Sequence, residues 1–155
     1  MARHERKGAI PPPAVPVRSG RSKVGDIPSP QPSRQRINFS FQHYDMSRDD
    51  YCLSRWTSEQ IRDTLRRFKE LNAKTYAEIS QQRAVYHFHS VDWELTREKS
   101  GFPDQALATM EAFQFALLGV NGQLARVFGT FYQDTFYIVW FDLNHRIWPS
   151  EKKHT

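Results

Sequence analysis

The side chains best suited to proton transfer and anion binding lie close together near the C-terminus. Arg126 precedes a hairpin-like stretch, and an apolar segment then runs into His145, Arg146 and Trp148. An imidazole titrates near neutral pH and can therefore take up or release a proton. A guanidinium forms paired hydrogen bonds with carboxylates and phosphates. The segment 126–148 is therefore the strongest candidate for a functional site.

The same residues also have a purely structural interpretation. A His and an Arg just beyond a buried strand are often exposed strand-end residues. Arg126 can pair with Asp134 or Asp142 across the hairpin, which would contribute about 0–1 kcal/mol if the pair were exposed.

Two further residue sets have weaker signals. His87 and His89 are two residues apart, so on a strand they would share one face and could both bind a metal ion. A zinc site needs three or four ligands, and the nearest carboxylate is Asp92, so polar surface residues are favoured and no metal site or cofactor is expected. The single cysteine, Cys52, has no neighbouring base and is interpreted as a small half-buried residue.

The elements that would position these residues follow from hydrophobic periodicity. Residues 37–43 alternate apolar and polar side chains, which predicts a half-buried strand. Thr57 to Gln60 has the capping-box pattern, and the apolar spacing that follows predicts a helix over 57–72. A second cap signal at Thr75 predicts a shorter helix to about residue 82.

The C-terminal half has the pattern of a β-meander. Apolar or alternating runs cover 112–118, 123–132 and 135–141, separated by the turn dipeptides Asn121-Gly122 and Gln133-Asp134. A short helix over 103–110 is expected before them, because Pro103 suits the first turn of a helix. The predicted fold is α+β, a helical hairpin packed on a small antiparallel sheet made of the three-stranded meander plus the N-terminal strand.

The positive charge is concentrated at the N-terminus. Residues 1–36 contain eight Lys and Arg against two acidic residues, a net charge of +6, and seven of the nine prolines. The remaining 14 basic and 15 acidic side chains give −1. The composition predicts a disordered basic tail over 1–36, which could contact nucleic acid non-specifically or serve only as a solubilising extension, and one domain over 37–150.

No stretch of the sequence approaches the roughly 18 apolar residues of a membrane-spanning helix, and no apolar segment follows the basic N-terminus. The single cysteine fits a reducing compartment. The expected location is therefore the cytoplasm, with no membrane partner.

The segment 112–148 resembles the C-terminal half of the RelE/ParE superfamily, the small toxins of bacterial toxin–antitoxin pairs. A basic residue on a middle strand and a His-Arg-x-x-aromatic ending of the last strand are common to those proteins. Arg126 and His145-Arg146-Ile147-Trp148 are the corresponding residues here, with one residue instead of two between Arg146 and Trp148. The resemblance implies a growth-inhibiting toxin, with a cognate antitoxin as its protein partner.

The resemblance further implies an mRNA interferase that acts at the ribosome without a metal. Such an enzyme makes the RNA 2′-hydroxyl attack the adjacent phosphate, which needs a base, cations and an acid. His145 would carry the proton transfer, Arg126 and Arg146 would clamp the phosphate, and Trp148 or Tyr132 would stack on a base.

Two other functions are compatible with the sequence. Residues Gln123, Leu124 and Phe128 resemble the short peptides that dock in the bacterial sliding clamp, which would make the chain a non-enzymatic toxin that blocks DNA replication. In the predicted hairpin, however, those side chains would be occupied by packing. A mobile-element binding protein that merely shares the fold is the third possibility.

Overall fold

The computed structural model describes residues 35–117 and 125–149. Its main helix, α1, covers Ser58–Asn72 and begins with the expected capping box, in which Thr57 and Gln60 exchange side-chain and backbone hydrogen bonds. The buried side of α1 is formed by Thr64, Phe68 and Leu71, which are spaced by about one helical turn. Leu65, an apolar residue of the same helix, is 60% exposed.

Two shorter helices complete the helical layer. Helix α2 covers Tyr76–Gln81 and has a second capping box, between Thr75 and Glu78. Helix α3 covers Arg83–Tyr86 and ends at His87, which has left-handed backbone angles.

The strands form a five-stranded sheet in the order β1-β5-β4-β3-β2. Their bounds are Asn38–Ser40 for β1, His89–Ser90 for β2, Ala112–Ala116 for β3, Arg126–Tyr132 for β4 and Thr135–Asp142 for β5. Strands β3, β4 and β5 form the predicted antiparallel meander. Strand β1 extends it as predicted, but it pairs with β5 in parallel, so the sheet is mixed.

The structure corrects three local expectations. The helix expected over 103–110 is only a short 3-10 turn, Gln105–Leu107. The N-terminal strand is limited to three residues. His87 caps a helix, so only His89 of the histidine pair lies on a strand, and that strand, β2, was not predicted.

Both faces of the sheet are covered by apolar side chains. One cluster joins the sheet to the helices and includes Phe68, Leu71, Phe88, Val127 and Phe141. A second cluster, on the other face, is covered by loops; it comprises Tyr51, Phe102, Leu107, Ala112, Phe128, Val139, Trp140 and Ile147. The strong apolar character of β4 and β5 follows from this burial on two sides.

Several predictions fall outside the described residues. These are the basic tail up to residue 34, the Asn121-Gly122 turn, and the residues Gln123 and Leu124. No helix in the described part of the chain is long and apolar enough to cross a membrane.

A cationic, imidazole-lined candidate site

The registers of three strands bring polar side chains together at one end of the sheet. His89 on β2 is paired with Gln114 on β3, and Arg126 on β4 is paired with Asp142 on β5. Paired residues point to the same face, and Arg126 is paired with Ala116, two residues from Gln114. His89, Gln114, Arg126 and Asp142 therefore share one face.

The segment after β5 folds back over this face. The carboxylate of Asp142 accepts hydrogen bonds from the backbone N–H groups of Arg146 at 2.9 Å and Ile147 at 2.7 Å. Ile147 is fully buried in the loop-covered cluster, and its carbonyl accepts a hydrogen bond from the Arg97 N–H at 2.8 Å. This return places His145 and Trp148 above the end of the sheet.

The result is an open cavity of about 630 Å³. It is lined by Arg83, His87, His89, Ser90, Leu95, Gln114, Arg126, His145, Trp148 and Pro149. Among these described lining residues none is Asp or Glu, so the cavity wall offers cations, imidazoles and an amide. Three of the predicted site residues, Arg126, His145 and Trp148, meet here.

Arg126 is the buried cation of the cavity. Its side chain is 6% exposed, and Asp142, directly across the strand pair, is 1% exposed. Burial lowers the pKa of Arg126, and the negative charge of Asp142 opposes that shift. The carboxylate thus offsets part of the cost of burying the guanidinium.

The three imidazoles respond to the same electrostatic field. The pKa of His87, of His89 and of His145 is lowered, in each case chiefly by burial and then by the positive charge of Arg126. For His145, Asp142 opposes the shift. All three are therefore mainly neutral at pH 7, the form in which an imidazole accepts a proton.

Two of these histidines have an uncommon backbone conformation. His87 has φ of 47° and His145 has φ of 55°, both in the left-handed region. This region costs a non-glycine residue roughly 1–2 kcal/mol. Residues held there are found disproportionately at functional sites.

Arg146 and Tyr132, which the sequence also assigned to the site, do not line the cavity. The Arg146 side chain is exposed. The pKa of Asp50 is lowered chiefly by its hydrogen bond with Arg48, and the charge of Arg146 adds to that shift. Tyr132 lies at the opposite end of β4 from Arg126, roughly 20 Å away at the rise of an extended strand.

Five polar residues of the cavity, among them Ser90, were not predicted as site residues. His87 and His89 were noticed as a pair but interpreted as surface residues, because the sequence does not show that β2 adds to the sheet edge beside β3. Gln114 is the one polar residue of β3 and could have been noticed on that ground. Arg83 carries no distinguishing local pattern.

Two other sequence hypotheses can be compared with the structure. Phe128 of the clamp-peptide match is fully buried in the central strand β4, so it cannot dock in another protein without unfolding the sheet. In the described ranges, no group of three or more His, Cys, Asp or Glu side chains is arranged to hold a metal ion.

The fold and the cavity define an α+β protein with a cavity lined by cationic and imidazole side chains at the end of a mixed sheet. Comparison with protein families, with characterised proteins and with solved structures found no match.

Proposed function

We propose that this chain is a metal-independent endoribonuclease that cleaves RNA by attack of the 2′-hydroxyl on the neighbouring phosphate. The observation that carries the proposal is that one buried guanidinium and three imidazoles converge on a single open cavity whose described lining contains no carboxylate. A phosphodiester is the anion that such a set of groups suits best.

His145 is the proposed base. Its neutral imidazole takes the proton from the 2′-hydroxyl as the 2′-oxygen forms a bond to phosphorus. The bond from phosphorus to the 5′-oxygen then breaks, and a protonated His87 or His89 gives its proton to that oxygen. The products are a 2′,3′-cyclic phosphate and a 5′-hydroxyl end.

Arg126 is the proposed phosphate clamp. The guanidinium is held by burial before substrate binds, with Asp142 on the paired strand, so little rearrangement is needed when negative charge develops on the phosphate. Bound phosphate also raises the pKa of the nearby imidazoles, which supplies the protonated acid that the final step requires.

The biological setting that we propose is a toxin–antitoxin pair, in which the chain inhibits translation by cutting mRNA and a cognate antitoxin covers the cavity. The support is the resemblance of 112–148 to RelE/ParE toxins, together with the strand, helices and meander in the order that the resemblance implies. The same fold can serve other functions, so the cavity supports the proposal more strongly than the topology does.

The decisive experiment measures cleavage of an RNA oligonucleotide, with and without a chelator, and of an mRNA being translated. His145→Ala should lower the rate at least about 100-fold, as expected for loss of a proton-transfer group. Arg126→Lys keeps the charge that pairs with Asp142 but loses the bidentate geometry, and should also be strongly impaired. Cleavage should stop when the 2′-hydroxyl at the scissile position is replaced by hydrogen.

The chain offers two matched controls. Arg146→Ala and Tyr132→Phe alter the residues that lie away from the cavity and should retain activity. If His145→Ala and Arg126→Lys cleave RNA as fast as the unmodified chain, the proposed site is wrong. If induced expression leaves growth and protein synthesis unaffected, the toxin setting is wrong.

A further inference from the structure

Gln114 lies in the cavity wall, and its amide oxygen is buried without a hydrogen-bond partner among the described residues. Its side chain is 6% exposed, and within the described residues its buried Oε1 has no hydrogen-bond partner. A buried polar atom left without a partner costs about as much as a hydrogen bond is worth, so such groups are rare unless they serve a ligand. Gln114 lines the same cavity as Arg126 and His145.

An apolar part of the same cavity wall also lacks an explanation in the proposed chemistry. Leu95 is a large apolar residue that is 62% exposed, and it lines the cavity together with Trp148 and Pro149. Trp148 is half-buried and rests on the loop-covered cluster, which fixes its ring. A bare phosphate would make no use of this surface, whereas a nucleobase can stack on it.

We propose that the cavity binds an adenine base, which stacks on Trp148 and Leu95 while Gln114 reads its N6 and N7 edge. This inference rests on the proposed function, because it places the base beside a phosphate held by Arg126. The Gln114 amide presents an acceptor and a donor side by side, and adenine presents the complementary donor at N6 and acceptor at N7.

The chemistry of the amide separates adenine from the other bases. On the edge that carries N7, guanine has acceptors at both O6 and N7, so this edge leaves Oε1 of Gln114 without a donor. Uracil and cytosine are smaller, so they stack less area on Trp148 and Leu95. Adenine alone combines the larger stacking surface with a donor and an acceptor on the edge that carries N7.

The test is calorimetric titration of the full chain at pH 7 with inorganic phosphate and with the 3′-monophosphates of adenosine, guanosine, uridine and cytidine. The adenosine nucleotide should bind roughly ten-fold or more tightly than the guanosine nucleotide. The 7-deaza analogue of the adenosine nucleotide, which lacks the N7 acceptor, should lose most of that advantage without any change to the protein.

Substitution of Gln114 provides the second arm. Gln114→Leu, which keeps the size of the side chain, should bring the affinity for the adenosine nucleotide down to that for the guanosine nucleotide and leave phosphate binding unchanged. Trp148→Leu should weaken all four nucleotides and leave phosphate unchanged.

The outcomes separate the two proposals. Equal affinity for the adenosine, guanosine and 7-deaza nucleotides, with phosphate still bound, overturns adenine recognition alone. Failure of phosphate and of every nucleotide to bind overturns both proposals.

Discussion

At the scale of the residue, two histidines of the site, His87 and His145, have left-handed backbone angles that lower the stability of the fold. His87 has φ of 47° and ψ of 44°, a conformation that glycine adopts without steric cost. Its imidazole is half-buried against the cavity, so little core packing depends on it. A histidine at this strained position therefore favours a role for the imidazole.

His87→Gly should therefore remove the imidazole and relieve the backbone at the same time. We expect the free energy of unfolding in urea to stay level or rise by up to about 1 kcal/mol, since relief of the left-handed strain is partly offset by the greater freedom of glycine in the unfolded chain. RNA cleavage should fall.

The matched control is His87→Ala, which loses the same imidazole but keeps a Cβ in the left-handed region. It should be less stable than His87→Gly. An alanine variant that is as stable as the glycine variant would show that this backbone position is not strained.

At the scale of the element, the sheet depends on one close approach between β4 and β5. A Cβ at Gly129 would overlap the carbonyl oxygen of Tyr137 and lie 2.8 Å from the Phe136 ring, beside the register shift between Phe128 and Gly129. Because the obstacle includes backbone, the strands would have to separate to admit a methyl group.

Gly129→Ala should lower the free energy of unfolding by about 1–3 kcal/mol, the usual cost of overpacking a core. Chemical denaturation followed by tryptophan fluorescence measures this. Lys69→Ala, on the exposed side of α1, is the control and should change stability by less than about 0.5 kcal/mol. Equal stability of both variants would contradict the close approach.

The elements also show what the sequence could and could not reveal. Both capping boxes, at Thr57 and Thr75, could be predicted because each depends on residues three apart in the sequence. The meander could be predicted because its apolar runs and turn dipeptides are local patterns. The two-residue strand β2 could not be predicted from the sequence, because it forms only by pairing with β3.

The same distinction between local patterns and long-range pairing applies to the residues of the candidate site. Arg126, His145 and Trp148 lie on the meander and on the segment that follows it, and they were found. His87, His89 and Gln114 enter through the pairing of distant strands, which no local pattern contains. Arg146 was assigned from the His-Arg ending that resembles the toxin family, but the turn held by Asp142 directs it away from the cavity.

At the scale of the whole molecule, the cavity makes folding depend on pH in a defined direction. The pKa of each cavity histidine is lower in the folded chain than the ordinary value of about 6.5. Between those two values the unfolded chain binds more protons than the folded chain, so stability rises with pH in that window. The contribution is complete above about pH 6.5 and is lost as the pH falls below it.

Other groups with shifted pKa values affect stability at pH values outside the range of the histidines. The pKa values of Asp45, Asp50 and Asp104 are lowered below the ordinary value of 3.8 for an aspartate, so their contribution to stability is lost only in stronger acid. Burial, followed by the hydrogen bond to Glu70, raises the pKa of Tyr86 to about 12, so stability falls again above about pH 10, where the unfolded chain ionises first.

The urea midpoint should therefore decrease from pH 7 to pH 5 and stay nearly level from pH 7 to pH 9. In His87→Gln/His89→Gln the decrease should be smaller, because two of the three groups that bind extra protons on unfolding are gone. Inorganic phosphate should reduce the decrease in the unmodified chain, since an anion in the cavity favours the protonated imidazoles and binds only the folded state. A midpoint that rises on acidification, or that phosphate leaves unchanged at pH 5, would mean that the imidazoles and Arg126 do not share one anion-binding cavity.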